Sequence, residues 1–538
     1  MKKLISLLLT LLMVLSAIAP LTATAAYEVD KISDPTIDTP LVYVRGAGKN
    51  LYKNNVDNED ERIYPVKVDT DAIIEALDVI TVDLIKGLIS DNYEEYVDDV
   101  YDVFAPIFEE VVLGKDGNVK DNSGNGQQDP IPSRWSGFKV WDNDYGYDFR
   151  VDLVETAEDL AKYIDQVKAA THQGNKKISL LGRCLGTNLI AAYLRTQYDH
   201  AIANVDNIIL YVPATDGVDF ISKLFSGKLE VQADNLDEFA DYFLNNKMNI
   251  EDQALVDFVT VFLEFLEYAK VLGLGMDAFQ LLVDRLQTEL IPRLGLASFL
   301  SFPSYWTMVN PEDYEDAKAL VFAGKEEEYA GLIEKIDYYY ENVQLGFTDF
   351  LEELKDSGKM KVNVIAKYNI PNIPICEAAN RLGDFISSTY QLSYGATCAD
   401  HGEVLTQEYI DSLADKKYLS PDLKIDASTC RFPDNTWFMK NSHHDYFPNG
   451  GNELIAELVD RKAEDLTVWN AQSFTQFTEQ VAVEGDSEAI FVPVEGVDPE
   501  EPEKSESEER FSIFIRFFTA ILNFFKKLFN GELFSKGE

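Results

Sequence analysis

The chain has 538 residues, of which 46% are hydrophobic and 12% aromatic, so it can bury the core of one large domain or of two to three smaller ones. Its formal net charge at pH 7 is −46 and its pI is about 4.4. Such an acidic surface repels nucleic acid and anionic lipid head groups, so we expect no nucleic-acid partner.

The first 26 residues have the pattern of a secretory signal peptide. Two lysines precede an apolar run that ends in the small residues Ala23, Thr24 and Ala25. We therefore expect residues 1–26 to be removed and the protein to be secreted. An oxidising compartment permits disulfides, and the four cysteines of the chain allow three pairings.

The next segments alternate between strand and helix patterns. An apolar β-type run at 39–52 ends in a glycine-rich turn, and an amphipathic helix is predicted within 141–170. A strand at 175–182, a helix at 184–198 and a second strand at 205–213 follow. This alternation predicts an α/β fold with a parallel sheet.

The remaining segments differ in composition and predict a layout around that sheet. Residues 216–355 have an almost wholly helical pattern, and the next clear strand pattern is at 361–370. An all-helical insertion in an α/β chain is most simply a cap, or lid, over the carboxyl edge of the sheet. We thus predict a core in two parts (27–215 and 356–465), a helical cap (216–355), an acidic linker region (466–510) and an amphipathic C-terminal helix (511–538).

The C-terminal segment repeats apolar residues at helical spacing. They are Phe511, Phe514, Ile515, Phe518, Leu522, Phe525 and Phe529. Polar side chains such as Arg516 and Lys526 favour a helix lying in an interface over one that spans a bilayer. Three placements stay open for residues 511–530: contact with a membrane surface or cell envelope, folding back onto the acidic body, and contact with a partner protein.

A five-residue frame lies between the predicted strand at 175–182 and the helix that follows. Gly182, Cys184 and Gly186 form a Gly-x-nucleophile-x-Gly pattern, with cysteine where serine is usual. The glycines leave room for strand and helix to approach a nucleophile whose backbone is strained. The N-terminus of the following helix points at Cys184 and favours the thiolate.

Such a frame needs further groups from elsewhere in the chain. The backbone N–H of Leu185 and an N–H of the glycine-rich turn, at Ala47 or Gly48, are candidates for an oxyanion hole. An acid and then a histidine should follow in chain order. Of the five histidines, His443 and His444 lie just before a predicted final helix, where such a base belongs.

Four further segments support a family resemblance that covers residues 39 to about 460. They are YGYDFR (145–150), FPSYWTMVNPEDYEDA (302–317), LGDFISSTYQLSYGATC (382–398) and IDASTCRFPDNTWFMKNSHH (425–444). The chain resembles a secreted α/β-hydrolase of the lipase type, above all the lecithin:cholesterol acyltransferase-like group and its bacterial relatives. The resemblance implies the α/β-hydrolase fold with a large helical cap insertion.

The resemblance assigns the nucleophile and the acid. Cys184 takes the nucleophile position, although the family has serine there. Asp384 matches the triad acid, with Phe385 in place of the expected glycine, and Asp400 is the competing acid. The family's Tyr-Asp-Trp-Arg segment implies that residues 145–150 position the loop beside the site.

The base and a disulfide are assigned in the same way. His444 matches the single histidine of the relatives better than His443, which stays as the alternative. Relatives carry cysteines at the places of Cys398 and Cys430, which implies a disulfide between them. Cys376 is predicted to be a small buried hydrophobic residue.

The implied activity is hydrolysis or transfer of an acyl group from a lipid-like or other small-molecule ester. A Cys-His-Asp triad would form a thioester intermediate with no metal or cofactor. The alternative is a catalytically inactive α/β-hydrolase-fold binding protein that descends from a serine enzyme.

Overall fold

The computed structural model describes residues 35–48, 50–55, 58–66, 80, 83, 86–87, 90, 92–126, 128–232, 239, 242, 276–444, 451–482 and 489–496. The predicted signal peptide and the predicted C-terminal helix lie outside these residues.

The sheet is large and mostly parallel. In chain order the strands are β1 (Thr36–Ile37), β2 (Leu41–Val44), β3 (Leu51–Tyr52), β4 (Arg62–Tyr64), β5 (Phe138–Lys139), β6 (Asp144–Tyr145), β7 (Ile178–Arg183), β8 (Val205–Tyr211), β9 (Lys361–Tyr368), β10 (Thr397–Cys398), β11 (Ile425–Asp426), β12 (Thr436–Lys440), β13 (Phe477–Ala482) and β14 (Ala489–Pro493). Eight of them form one sheet in the order β14, β13, β12, β9, β8, β7, β2, β6. All neighbours are parallel except β13 and β14, so the predicted α/β class with a parallel sheet is confirmed.

Helices connect and flank these strands. They are α1 (Glu94–Phe108), α2 (Leu153–Ala170), α3 (Leu185–Thr196), α4 (Tyr198–Asn204), α5 (Asp219–Phe225), α6 (Met276–Leu296), α7 (Pro303–Trp306), α8 (Tyr314–Val321), α9 (Ala330–Tyr339), α10 (Phe347–Asp356), α11 (Thr389–Leu392), α12 (Gln407–Ser412) and α13 (Gly451–Asp460). A π-helical turn at Tyr340–Gln344 follows α9. Among the described residues, no helix has the length and apolar character needed to cross a membrane.

The central strands are buried on both faces, as their continuous apolar sequences predict. Leu180 and Leu181 on β7 belong to different core clusters, and Ile208 and Ile209 on β8 alternate in the same way. Helices α2 and α3 supply one cluster and α13 supplies the other. The sheet is therefore covered by helices on both sides.

Strand order brings three distant loops to one edge. Strands β7, β8, β9 and β12 are adjacent and parallel, so their carboxyl ends lie side by side. The loop after β7 begins at Cys184, the segment after β9 contains Asp384, and the one after β12 contains His444.

The predicted boundaries need one correction. We predicted an acidic linker for 466–510, but β13 and β14 lie within it and extend the main sheet. The two strands form an antiparallel pair at the sheet's edge, where one face is partly solvated and charged residues such as Glu479 are tolerated. The charge that predicted the linker lies mainly in 498–510, after β14, and Glu479 is the one charged residue within the two strands. The preceding strand β12 was also not predicted.

The structure has helices in 216–355, where the sequence pattern predicted them. Helices α5 to α10 lie in this stretch, and its described residues contain no strand. Residues 233–238, 240–241 and 243–275 lie outside the described part of the chain.

Candidate active site

Cys184 lies at a sharp turn between strand β7 and helix α3. Its backbone has φ 51° and ψ −127°, a region that residues other than glycine rarely adopt. Its N–H donates to the carbonyl oxygen of Tyr211 at 3.1 Å. Its own carbonyl oxygen accepts from the N–H of Thr187 at 2.8 Å and from the Thr187 hydroxyl at 2.6 Å. These bonds hold the strained turn, and the half-buried thiol stands at the edge of the sheet.

The glycines around Cys184 allow three backbone segments to meet. A Cβ on Gly182 would lie 2.7 Å from Cδ1 of Ile190, and one on Gly186 would collide with the carbonyl oxygens of Val44 and Arg45. Gly186 thus lets helix α3 press against the turn that follows β2. The Gly-x-Cys-x-Gly spacing has the steric purpose that the sequence predicted.

The turn after β2 lies beside the cysteine. A Cβ on Gly46 would be 3.1 Å from Cβ of Cys184, which places Ala47 and its neighbours next to the thiol. Leu185 is the first residue of α3, so its N–H has no acceptor within the helix. The Ala47 N–H also has no acceptor among the described residues. These two amides are the ones predicted for an oxyanion hole.

Side chains of the 144–150 segment hold the turn after β2 and the backbone near it. The Tyr147 hydroxyl donates to the Arg45 carbonyl oxygen at 3.1 Å, and the Arg45 guanidinium pairs with Asp144. Arg150 is 1% exposed, pairs with Asp148 at 2.6 Å and donates to the carbonyl oxygen of Val111 at 3.0 Å. The residues of the 145–150 segment therefore hold backbone beside the site.

Asp384 and His444 form a buried pair. Nδ1 of His444 lies 2.6 Å from Oδ2 of Asp384, and the His444 N–H donates to the Asp384 carbonyl oxygen at 2.9 Å. The other carboxylate oxygen of Asp384 accepts from the N–H groups of Ile386 and Ser387 at 3.1 and 2.9 Å. With Asp384 0% and His444 2% exposed, neither orientation depends on solvent.

Charge decides the protonation of this pair. Burial opposes the charged form of His444, but the Asp384 carboxylate and the neighbouring Cys184 outweigh it and raise the pKa of His444 to about 10. Burial likewise disfavours the Asp384 anion, but the His444 charge and the hydrogen bonds lower the pKa of Asp384 below its usual value. At neutral pH the pair is therefore carboxylate and imidazolium.

The second ring nitrogen of His444 is directed to the cysteine. Nε2 is buried and makes no hydrogen bond of standard geometry within the described residues, yet the Cys184 sulfur is close enough to raise the pKa of His444. We regard Nε2 as facing the sulfur without a formed bond, because hydrogen bonds in unliganded active sites are often long or poorly aligned. The structure thus brings Cys184, His444 and Asp384 together.

The two alternatives are placed elsewhere. Asp400 is exposed and forms a backbone bridge with Arg381, and the carboxylate that pairs with His444 is that of Asp384. The ring of His443 packs at a tilt against Phe385, with centroids 5.0 Å apart, and is parallel to the ring of Tyr242 at 6.3 Å. Asp384 and His444 are therefore the acid–base pair of this geometry.

The helical stretch contacts the site at two places. Phe239 packs on Phe385 with ring centroids 5.6 Å apart, next to the acid. Asn188, in the first turn of α3, donates to the Thr307 carbonyl oxygen at 2.9 Å and to that of Ala214 at 3.1 Å. The sequence analysis missed Asn188 and Thr187, whose hydroxyl also accepts from the Ala214 N–H at 3.0 Å. Both residues follow Gly186 directly in the sequence, and this position beside the nucleophile frame could have marked them as candidates.

The cysteines require a second correction. All four lie in the described residues and all are free thiols, so the expected disulfide between Cys398 and Cys430 is not formed. Antiparallel pairing of β10 and β11 already joins the two segments, with Cys398 opposite Ile425 instead of Cys430. Cys376 is 3% exposed, and burial raises the pKa of its thiol to about 12.

No protein-family model matches this sequence, and no match to it was found among curated proteins. The functional argument therefore depends on the geometry of the chain's own residues.

Proposed function

We propose that the protein is an acyl hydrolase or acyltransferase that uses Cys184 as its nucleophile, in an α/β-hydrolase architecture. The observation that carries the proposal is the strained turn at Cys184 beside the His444–Asp384 pair, whose Nδ1–Oδ2 distance is 2.6 Å. The three residues follow in the chain order nucleophile, acid, base, as in that architecture.

The chemistry begins with the thiolate and the imidazolium. The sulfur attacks the acyl carbon of an ester, and the developing oxyanion accepts hydrogen bonds from the amides of Leu185 and Ala47. The carbon–oxygen bond to the alcohol breaks while Nε2 of His444 gives its proton to the leaving oxygen. A thioester on Cys184 and a neutral imidazole remain.

The second half regenerates the enzyme. Neutral His444 takes a proton from water or from an acceptor alcohol, whose oxygen attacks the thioester carbon. The carbon–sulfur bond breaks and returns the thiolate beside the imidazolium. Asp384 keeps Nδ1 protonated and stabilises the positive ring throughout.

The surroundings of the thiol favour an apolar acyl group. Burial raises the pKa of the Tyr147 and Tyr305 hydroxyls, and Cys184 makes a smaller contribution in the same direction, so both rings lie near the thiol. Phe149 and Phe302 pack next to Tyr305. We therefore propose lipid-like or aromatic esters as substrates, with 216–355 acting as the cap. Export by residues 1–26 and surface attachment by 511–530 are further proposals that rest on the sequence.

The test is capture of the intermediate. The full mature chain is incubated with p-nitrophenyl butyrate or laurate, and the peptide that contains Cys184 is weighed by mass spectrometry. We expect one acyl adduct on Cys184 and none in Cys184→Ala. Cys376→Ala is the matched control, because Cys376 is a deeply buried thiol outside the site, and it should acylate at the native rate.

The same experiment separates the alternative. A native chain that never acylates, although His444 and Asp384 are intact, would be a binding protein and not an enzyme. A Cys184→Ser variant that turns over esters faster than the native chain would indicate that a serine enzyme has recently lost its nucleophile.

A further inference from the structure

A buried lysine binds the backbone of the loop after β12, which carries His443 and His444 and is called the histidine loop below. Lys367 on β9 is 0% exposed, and its Nζ donates to the carbonyl oxygen of His443 at 2.6 Å and to that of His444 at 3.2 Å. The sequence pattern gave no sign of it, because it lies inside the apolar strand KVNVIAKY.

A cation in this place must be compensated, since burying an unpaired ammonium group is very costly. The carbonyl oxygens account for part of the compensation. The Tyr211 ring centroid lies 4.9 Å from Nζ, and the positive charge of Lys367 also contributes to the lowered pKa of Asp384. One lysine therefore contacts the His444 loop and acts on the Asp384 carboxylate.

The charges around Lys367 balance as a group. Asp384 faces it from the segment after β9, His444 from the loop after β12 and Tyr211 from β8, while Cys184 lies on the far side of His444 from the Asp384 carboxylate that the imidazole binds. In the thiolate–imidazolium state of the proposed mechanism, the negative charges of Cys184 and Asp384 are matched by the positive charges of His444 and Lys367. Without Lys367 the buried group would have a net negative charge.

Strand β9 also fixes the backbone on both sides of Lys367. The Thr389 hydroxyl donates to the Lys367 carbonyl oxygen at 2.9 Å, and the Asn441 N–H donates to that of Tyr368 at 3.0 Å. The lysine is thus mounted on a rigid strand that touches both the acid segment and the histidine loop.

We propose that Lys367 is a positioning residue for the triad: it holds the loop carbonyls of His443 and His444 so that the imidazole bridges Asp384 and Cys184, and it balances the Asp384 charge. This role rests on the proposed function of Cys184 as nucleophile. No part of the lysine needs to touch the substrate.

The experiment compares three variants of the full mature chain. Lys367→Met removes the charge and both hydrogen bonds, and Lys367→Arg keeps the charge. Lys168→Met is the matched control, because Lys168 is a 9% exposed lysine in the last turn of α2 that donates to Asn204 at 2.5 Å and not to a residue of the triad or its loops. Thermal unfolding of each variant shows whether it folds.

Two readouts report on the triad without ester turnover. One is the rate at which iodoacetamide alkylates Cys184 at pH 7, and the other is the low-field proton resonance of the His444 Nδ1–H. We expect Lys367→Met to slow alkylation about tenfold or more and to lose or move the resonance, because a loosened imidazole stabilises the thiolate poorly. Lys367→Arg should recover much of the rate, and Lys168→Met should match the native chain.

The outcomes separate the two proposals. Native-like alkylation and an unmoved resonance in folded Lys367→Met would overturn the role of Lys367. So would a folded Lys367→Arg that is as slow as Lys367→Met, since charge would then be irrelevant. If Lys367→Met does not fold, the alkylation rate and the His444 resonance of Lys367→Arg decide whether Lys367 positions the triad. Failure of the native chain to acylate with p-nitrophenyl esters would instead count against the proposed function. The alkylation rate and the resonance would still test whether Lys367 positions His444.

Discussion

The turn between β7 and α3 that carries Cys184, called the elbow below, meets the loops that carry Asp384 and His444 at one edge of the sheet. Different contacts hold the elbow and the loops. At the elbow, close backbone packing and a strained φ of 51° fix the thiol, and glycines make the packing possible. Around the acid–base pair, hydrogen bonds from side chains and amides fix the groups, with buried charges nearby.

This difference predicts different sensitivities. Added volume at the elbow should disturb the backbone and therefore the stability of the whole fold. Loss of charge in the acid–base pair should leave the backbone in place and disturb proton transfer. Each of the following substitutions tests one side of this contrast.

The largest effect is expected from removing the acid's charge. Asp384→Asn keeps the shape but no longer fixes the His444 tautomer or supports its positive charge. We expect acylation of Cys184 by p-nitrophenyl butyrate to slow about 10³–10⁴-fold. Single-turnover kinetics would measure this rate, with thermal unfolding as the check on folding.

Asp400→Asn is the matched control for that variant. Asp400 is exposed and the His444 imidazole pairs with Asp384 instead, so loss of the Asp400 charge should leave acylation within about twofold of native. A large loss in Asp400→Asn together with a small one in Asp384→Asn would reverse our assignment of the acid.

The next effect is steric. Gly186→Ala would place a Cβ against the carbonyl oxygens of Val44 and Arg45, which belong to backbone and cannot rotate away. We expect a loss of about 3 kcal/mol in the free energy of unfolding, measured by urea denaturation, even though alanine normally favours a helix. Gly496→Ala is the control, since its Cβ would meet only the Pro421 carbonyl oxygen at 3.8 Å. Equal stability of the two variants would show that the elbow can relax.

The sequence was sufficient for the elbow because its determinants are local. Apolar β7, two glycines and the start of α3 lie within a few residues of Cys184, and the structure has the strand, turn and helix in that order. The strands β7, β8 and β9 were predictable for the same reason, since apolar residues dominate each of them.

Long-range features were harder to predict. Asp384 and His444 were assigned by resemblance, and their contact depends on β9 and β12 being neighbours, a matter of strand order that local pattern does not encode. Lys367 was missed because a lysine inside an apolar strand gives no hint that its ammonium group will meet two loop carbonyls. The edge strands β13 and β14 were missed because they are short and lie close to the charged segment 498–510, which determined the linker prediction for the whole region.

The raised pKa of His444 predicts how stability depends on pH. Folded His444 binds its proton more tightly than the unfolded chain does, so this stabilisation is complete below about pH 6.5 and is lost as pH rises through about 10. The lowered pKa of Asp384 acts in the opposite sense, because its contribution is present above the ordinary value of 3.8 and is lost as pH falls further. The Asp384–His444 pair therefore stabilises the fold most between about pH 3.8 and 6.5.

Urea denaturation at a series of alkaline pH values tests this. Native protein should lose about 1.4 kcal/mol for each unit by which the folded pKa of His444 exceeds the unfolded one. His444→Gln cannot lose this contribution, so its stability should fall less between about pH 6.5 and 10. Parallel curves for the two proteins would show that His444 does not hold its proton in the folded state.

The smallest effect is expected where one hydrogen bond holds the turn after β2. Tyr147→Phe removes the donor to the Arg45 carbonyl oxygen and leaves the ring in place, so the Ala47 amide should lose some of its alignment with the oxyanion. We expect acylation to slow about tenfold, the equivalent of about 1.4 kcal/mol, with little change in melting temperature. Asp144→Asn is the comparison, because the partly exposed pair of Arg45 and Asp144 should contribute at most about 1 kcal/mol. A larger loss of rate in Asp144→Asn than in Tyr147→Phe would mean that the ion pair, and not the tyrosine hydroxyl, sets the position of the turn.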